Sequence, residues 1–367
     1  MAKIYFAIPG DINTLTGGYA YDRRLIAELR ALGHSVEHLQ LSSRFPLPDT
    51  NALADAAAQL AALPDQALVM IDGLAYGVME TIAEQHASRL NIIALCHHPL
   101  MLESGLSSVQ IQQLFLSEQR ALNAAKAVIV TSPMTGKILA EQFAIPAAKM
   151  TIALPGTDAQ TFAPCIGNPP VLLCVATLTR RKAHDVLIDA LAKIKQLAWT
   201  LRLVGGTEFD PEWTSILKNK VAQYGLEQRI VFLGSIAEPS SEYAAADVFV
   251  LPSLFEGYGM AFAEALSFGL PIVAARAGAV PDVVPESAGI LVAPQDSSAL
   301  TAALQELLTD TAARKKLQQG AQAAARNLPS WKDTAAVVAK LSAQLSAQLT
   351  AKLSTQPSIQ SMAGKSE

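Results

Sequence analysis

The sequence predicts an α/β protein built as two doubly wound parallel sheets that face each other across a cleft. Its 367 residues exceed what one small core needs and suit two domains of ordinary size. Short apolar or β-branched runs alternate with longer helical stretches as far as about residue 330, the pattern of parallel strands joined by crossover helices. The alternation breaks at Pro164-Cys165-Ile166-Gly167-Asn168-Pro169-Pro170, where prolines and a glycine mark an interdomain linker.

Before the linker, strands are expected at residues 4–8, 36–39, 68–71, 92–95, 128–130 and 150–153. After it they are expected at 171–175, 201–204, 230–232, 248–251, 272–274 and 289–292. Residues 21–32 carry an amphipathic helical period that ends at Gly33, well placed to cap it. The expected domains are therefore 1–165 and 166–330, with ligands held where the carboxyl ends of the strands meet the crevice. Beyond them, leucine recurs at every fourth position from Leu341 to Leu353. On a helix of 3.6 residues per turn this makes a slowly rotating stripe, so 331–353 is expected to pack back on the first domain. Residues 354–367 read as a disordered tail.

Composition excludes several classes. A net charge of −4, without a Lys/Arg-rich block, offers no field for a nucleic-acid backbone. No apolar stretch approaches the roughly 18 to 20 residues of a transmembrane segment. The opening apolar run stops at Pro9-Gly10, too short for a signal peptide, and the three cysteines, Cys96, Cys165 and Cys174, are too scattered for a disulfide framework. A cytoplasmic protein is expected.

The strongest local signal is Ser253-Leu254-Phe255-Glu256-Gly257-Tyr258-Gly259-Met260-Ala261-Phe262-Ala263-Glu264, directly after the strand at 248–251. Gly257 and Gly259 let backbone approach a ligand closely, and a helix opening near Met260 aims free N–H groups at an anion. That is a phosphate site, flanked by Glu256 in the loop and Glu264 about one turn into the helix. A carboxylate accepts two sugar hydroxyls, which suits Glu264 to a ribose and Glu256 to a hexose. Three basic residues, Arg180, Arg181 and Lys182, follow the strand at 171–175 and by composition alone read as a solvated turn. In the first domain, Gly17-Gly18 between strand and helix can form a backbone nest. His97 and His98 end the strand at 92–95, with Glu103 and Asp11 as further candidates for sugar or acceptor contacts.

The loop closely resembles that of the family-4 retaining glycosyltransferases, the glycosyl transferases of group 1, whose hallmark is two glutamates separated by seven residues. The resemblance extends through Ala244–Ser253, Gly269-Leu270-Pro271-Ile272-Val273-Ala274 and Ala277-Gly278-Ala279-Val280-Pro281-Asp282, with Ala279 in place of a usual glycine. It implies the GT-B fold, with an acceptor-side first domain and a nucleotide-sugar-binding second domain. It implies that Glu256 contacts the donor sugar, Glu264 the ribose, Lys182 the diphosphate, and a histidine the sugar near the reacting carbon. His97 matches that histidine better than His98. The family's clamping Arg falls on Thr177, so Arg180 or Arg181 has to supply the guanidinium. Pro155-Gly156-Thr157-Asp158 resembles a cleft-lining turn of the family, without its Asn.

No Asp-X-Asp triplet occurs, and histidines and acids show no metal-ligand spacing, so neither a metal nor an organic cofactor is expected. The resemblance implies retention of configuration with the leaving phosphate taking the acceptor's proton, hence no protein nucleophile. Rival readings are a nicotinamide oxidoreductase, for which Phe262 spoils the third glycine of Gly-X-Gly-X-X-Gly, a catalytically silent sugar-nucleotide binder, and a GT-B phosphorylase.

Overall fold

The computed structural model describes residues 3–355, with side chains as far as residue 347. The first sheet contains β1 (Lys3–Pro9), β2 (Ser35–Leu41), β3 (Leu68–Asp72), β4 (Asn91–Cys96), β5 (Ala127–Val130) and β6 (Met150–Ile152). They are parallel throughout, in the order β2-β1-β3-β4-β5-β6. The second sheet contains β7 (Val171–Val175), β8 (Thr200–Val204), β9 (Ile230–Gly234), β10 (Val248–Leu251), β11 (Ile272–Ala275) and β12 (Gly289–Val292). It too is parallel, in the order β12-β11-β10-β7-β8-β9. Each strand expected from the sequence is present.

The helices of the first half are α1 (Gly17–Ala31), α2 (Thr50–Ala61), α3 (Gly73–Tyr76), α4 (Glu80–His86), α5 (Ser108–Ala124) and α6 (Pro133–Glu141). Those of the second are α7 (His184–Ala192), α8 (Pro211–Tyr224), α9 (Ser240–Ala244), α10 (Met260–Ser267), α11 (Val280–Val283), α12 (Ser297–Thr309) and α13 (Thr311–Ala325), followed by α14 (Trp331–Thr355).

The central strands are covered on both faces and read as nearly continuous apolar runs, whereas the edge strands β2 and β9 leave several residues exposed. Alternate residues of β1 divide the first core in two. Tyr5 and Ala7 point toward the helices α2 to α6, whereas Ile4, Phe6 and Ile8 point toward Tyr21, Leu25 and Leu29 of α1. Trp331, Ala335 and Val338 of α14 close that second face, so the last helix among the described residues lies on the first sheet. The Leu349 and Leu353 part of the leucine repeat and the tail from 356 onward lie outside the residues whose side chains or backbone are described.

The helix expected at 21–32 starts four residues earlier, at Gly17. Glycine is a poor helix former, so Gly17-Gly18 read as a loop; in a first turn their N–H groups have no intrahelical partner to lose. The pair is thus the open end of α1, not a separate nest.

Candidate active site

In the second sheet the chain adds β8 on one side of β7 and β10 on the other, so the connections after β7 and β10 diverge and leave a crevice between them. Both signal-bearing loops leave from these two strands. After β7, Arg180–Lys182 form one 3-10 turn, closed by Ala183 in the left-handed region (φ 52°) where α7 begins. After β10, residues 252–259 run to the open N-terminus of α10, capped by Gly259.

The two loops are tied by charge. Lys182 Nζ lies 2.7 Å from Glu256 Oε1, and the same oxygen accepts from Ser253 Oγ at 2.6 Å. Arg181 donates to Phe255 O at 2.9 Å and stands 3.7 Å from Glu256 Oε2. Burial pushes the Glu256 carboxyl up, but Lys182 and Arg181 outweigh it and hold it below the usual range. Burial, aided by Arg181, lowers Lys182 against the pull of Glu256. Arg180 is elsewhere: its guanidinium covers the Trp213 ring at 4.6 Å and lies 3.8 Å from Asp210. Of the two arginines left open by the sequence, Arg181 is the one beside Lys182 and Glu256.

Glu264 accepts from Tyr243 Oη at 2.8 Å, and burial lifts its carboxyl to about 7. The glutamates thus sit in opposite environments, one paired with cations and one with a phenol.

The first sheet supplies the other wall. His97 follows β4, and its Nε2 lies 3.3 Å from Asp72 Oδ2 at the end of β3 and 3.5 Å from Asp22 Oδ1 on α1. Its neighbour His98 contacts Glu103 Oε1 at 2.5 Å, and the other oxygen of Glu103 reaches across the cleft to Arg181 Nε at 3.3 Å. Burial opposes ionisation of Glu103, but His98 and Arg181 together hold its carboxyl well below the ordinary range. The domains also meet through backbone. Thr135 Oγ1 donates to Gly257 O at 3.3 Å, and a Cβ on Gly257 would lie 2.2 Å from His97 O. Gly17 and Gly18 complete the wall, beside Met260 and His97 respectively.

Residues 169–310 match the family described as glycosyl transferases group 1. This part of the chain is similar to the group 1 glycosyl transferases. The chain is 30% identical, over 232 residues, to a GDP-mannose-dependent alpha-(1-6)-phosphatidylinositol monomannoside mannosyltransferase of Mycolicibacterium smegmatis, covering 57% of this chain and 59% of that protein. It is 28% identical to a D-inositol 3-phosphate glycosyltransferase of Stackebrandtia nassauensis, covering 60% and 54%. It therefore spans less than two thirds of either relative's length. Among solved structures, sucrose-phosphate synthase from Thermosynechococcus elongatus superposes with a TM-score of 0.78 at 24% identity, covering 94% of this chain and 99% of that one. Anabaena HepE in complex with UDP-glucose does so with a TM-score of 0.74 at 20% identity, covering 96% and 100%. The architecture is GT-B.

Within the matched residues the Glu256 loop is backed by Ala277-Gly278-Ala279. Ala279 N donates to Glu256 O at 2.9 Å, and a Cβ on Gly278 (φ +55°) would stand 2.2 Å from that oxygen. Glycine is retained where contact and dihedral demand it, and Ala279 fits the next position fully buried. Tyr258 is buried, its hydroxyl pushed up to about 12. Asp11 is exposed and accepts from Asn13 on its own loop, and Asp158 pairs with Arg24. Among the described residues, no helix is long and apolar enough to cross a membrane.

Asp22 and Asp72 went unread in the sequence, where Ser253 carried no assigned role. Asp22 did leave a signal, being an acid on the same stripe as Leu25, Ile26 and Leu29 of α1. The absence of metal-ligand spacing also misses what folding does: Asp22, Asp72 and His97, from three separate elements, offer ligand-type atoms within 4.8 Å of one another.

Proposed function

We propose that the chain is a retaining, metal-independent glycosyltransferase that moves a hexose from a nucleotide-diphosphate sugar to an acceptor hydroxyl, in the cytoplasm. The observation that carries this reading is the pairing of Arg181 and Lys182 with Glu256 and the Gly257–Gly259 loop at the crevice of the second domain. Two relatives support a nucleotide-sugar donor: one is named GDP-mannose-dependent and one structure contains UDP-glucose.

In this reading Lys182 and Arg181, with the amides opening α10, neutralise the diphosphate as the bond to the sugar's anomeric carbon breaks. Preorganised charge of this kind is usually the largest catalytic term. The acceptor oxygen bonds to that carbon on the same face, and its proton passes to the departing phosphate. Glu256 orients the hexose, Glu264 holds the ribose, and His97 faces the sugar from the acceptor-side domain. Gly17 and Gly18 close over the diphosphate from the same side, while His98 and Glu103 position the Arg181 guanidinium.

Thermal-shift screening of UDP-, GDP- and ADP-sugars should single out one nucleotide, because a ligand bound only by the folded state raises the melting point. With that donor, transfer is expected to persist in EDTA. Complete loss restored by manganese or magnesium would end the metal-independent reading, and donor binding without transfer to any acceptor would reduce the protein to a silent binder.

Gly257→Ala should lower transfer roughly 100-fold, since a methyl at this backbone contact forces the two catalytic loops apart by the order of an ångström. Far-UV circular dichroism should be unchanged. Wild-type rates in this variant would show that the loops need not meet during turnover.

A further inference from the structure

Asp22 is fully buried, and neither of its carboxylate oxygens has a hydrogen-bond partner among the described residues. An ionised group left this way costs several kcal/mol unless charge compensates it. The compensating group at hand is His97. Its Nε2 is shared between Asp22 Oδ1 and Asp72 Oδ2 at 3.5 and 3.3 Å, ion-pair distances without hydrogen-bond alignment. Asp72 is fixed by a further contact, accepting from Leu74 N at 2.8 Å.

The ring's orientation gives the arrangement a purpose. Gly18 covers the Cδ2–Nε2 edge, and Tyr21 packs edge-on at 5.2 Å. About a fifth of the side chain (19%) remains exposed, and Nδ1 makes no hydrogen bond to any described residue, so Nδ1 is the nitrogen turned to the cleft. In a neutral imidazole whose Nε2–H faces the carboxylates, Nδ1 is an acceptor; in the imidazolium it is a donor.

We propose that Asp22 and Asp72 are positioning residues that keep His97 doubly protonated, so that Nδ1–H is presented to the transferring sugar as a charge-assisted donor. The inference rests on the transferase reading and deepens it. Burial disfavours the charged ring, but the two carboxylates outweigh burial and raise His97 to about 10. Burial and then Asp72 lift Asp22 well above the carboxylate range, against the pull of His97. The other titratable groups around the cluster are Tyr19 and Tyr21 on α1, both pushed up by burial first, and Cys96 on β4, likewise raised by burial. All three are neutral at physiological pH, which leaves the acid pair to set the ring's charge.

The test is a pH titration of the full chain labelled with ¹⁵N-histidine, the His97 signals assigned by their loss in His97→Gln. Both ring nitrogens should stay protonated from pH 6 to 9. In Asp22→Asn/Asp72→Asn the ring should titrate near the ordinary value of about 6.5. The same double variant should lose about 10- to 100-fold in kcat at pH 8, with a smaller change in donor KM. It should recover below pH 6 as the ring gains its proton unaided, a rescue that a merely structural role would not give. Where the double variant does not fold, Asp22→Asn alone should lower the His97 midpoint by about one pH unit or more.

Ordinary titration of His97 in the wild type, or a rate loss equal at all pH values, overturns the proposal. So does a stoichiometric zinc or manganese ion that raises the melting point and displaces the ring protons, since the cluster would then be a cation site. A ring protonated as expected in a chain that transfers no sugar leaves the charge assignment standing and removes the transferase reading instead.

Discussion

Lys182→Ala is expected to lower sugar transfer by about two to three orders of magnitude and to weaken the second domain at the same time. The rate effect follows from the proposed role: with the ammonium gone, the departing diphosphate would lose a fixed cation, a change worth about 100- to 1000-fold. The stability effect follows from the 2.7 Å pair with Glu256, which is only 5% exposed. Removing one partner strands the other charge in a poorly solvated place, at a cost of about 3–5 kcal/mol. Ser253 Oγ and the more distant Arg181 compensate part of that loss. The two effects are separable. Lys182→Met combined with Glu256→Gln removes both charges and should recover most of the melting temperature while transfer stays low. Near-normal turnover in folded Lys182→Ala would take Lys182 out of the site, and a single variant as stable as wild type would show that Glu256 is better solvated than its burial indicates.

Much of this arrangement was legible in the sequence because it is local. Strand runs, the Gly257–Gly259 loop and the helix opening at Met260 depend on residues adjacent in the chain, and the parallel α/β pattern places strand ends at the crevice. What was not legible depends on direction or distance. Arg180 and Arg181 are neighbours of identical chemistry, but in a 3-10 turn successive side chains point about a third of a turn apart. One therefore stacks on Trp213 and the other faces Glu256. Asp22, Asp72 and His97 come from α1, β3 and the end of β4, so no spacing announces them. The cross-cleft contact of Glu103 with Arg181 likewise exists only once both domains are folded and facing.

The two glutamates should respond oppositely to pH and to substitution, because their surroundings differ. Burial lifts Glu264 to about 7 from about 4.5, whereas the cations beside Glu256 overcome burial and keep it ionised at lower pH. In the role proposed for Glu264, a protonated carboxyl would accept ribose hydroxyls less well, so affinity for the free nucleoside diphosphate should fall as pH drops through about 7. Glu264→Gln should weaken that affinity at high pH and flatten its pH dependence. Folding stability runs the other way. With its folded pKa raised, Glu264 contributes stability that is full below about 4.5 and lost as pH rises through about 7. Glu264→Gln should therefore melt higher than wild type at pH 8 and no higher at pH 5, making the ionised residue a cost to the fold that ligand binding offsets. Glu256→Gln should melt lower, since it leaves Lys182 without its counter-charge. Its affinity for the free diphosphate should be nearly intact, with the loss falling on kcat, as expected for a group that acts while the anomeric carbon becomes electron-poor. Calorimetric titration of both variants with the free diphosphate, beside their transfer rates, decides the assignment. Loss of diphosphate binding in Glu256→Gln with none in Glu264→Gln would exchange the two roles.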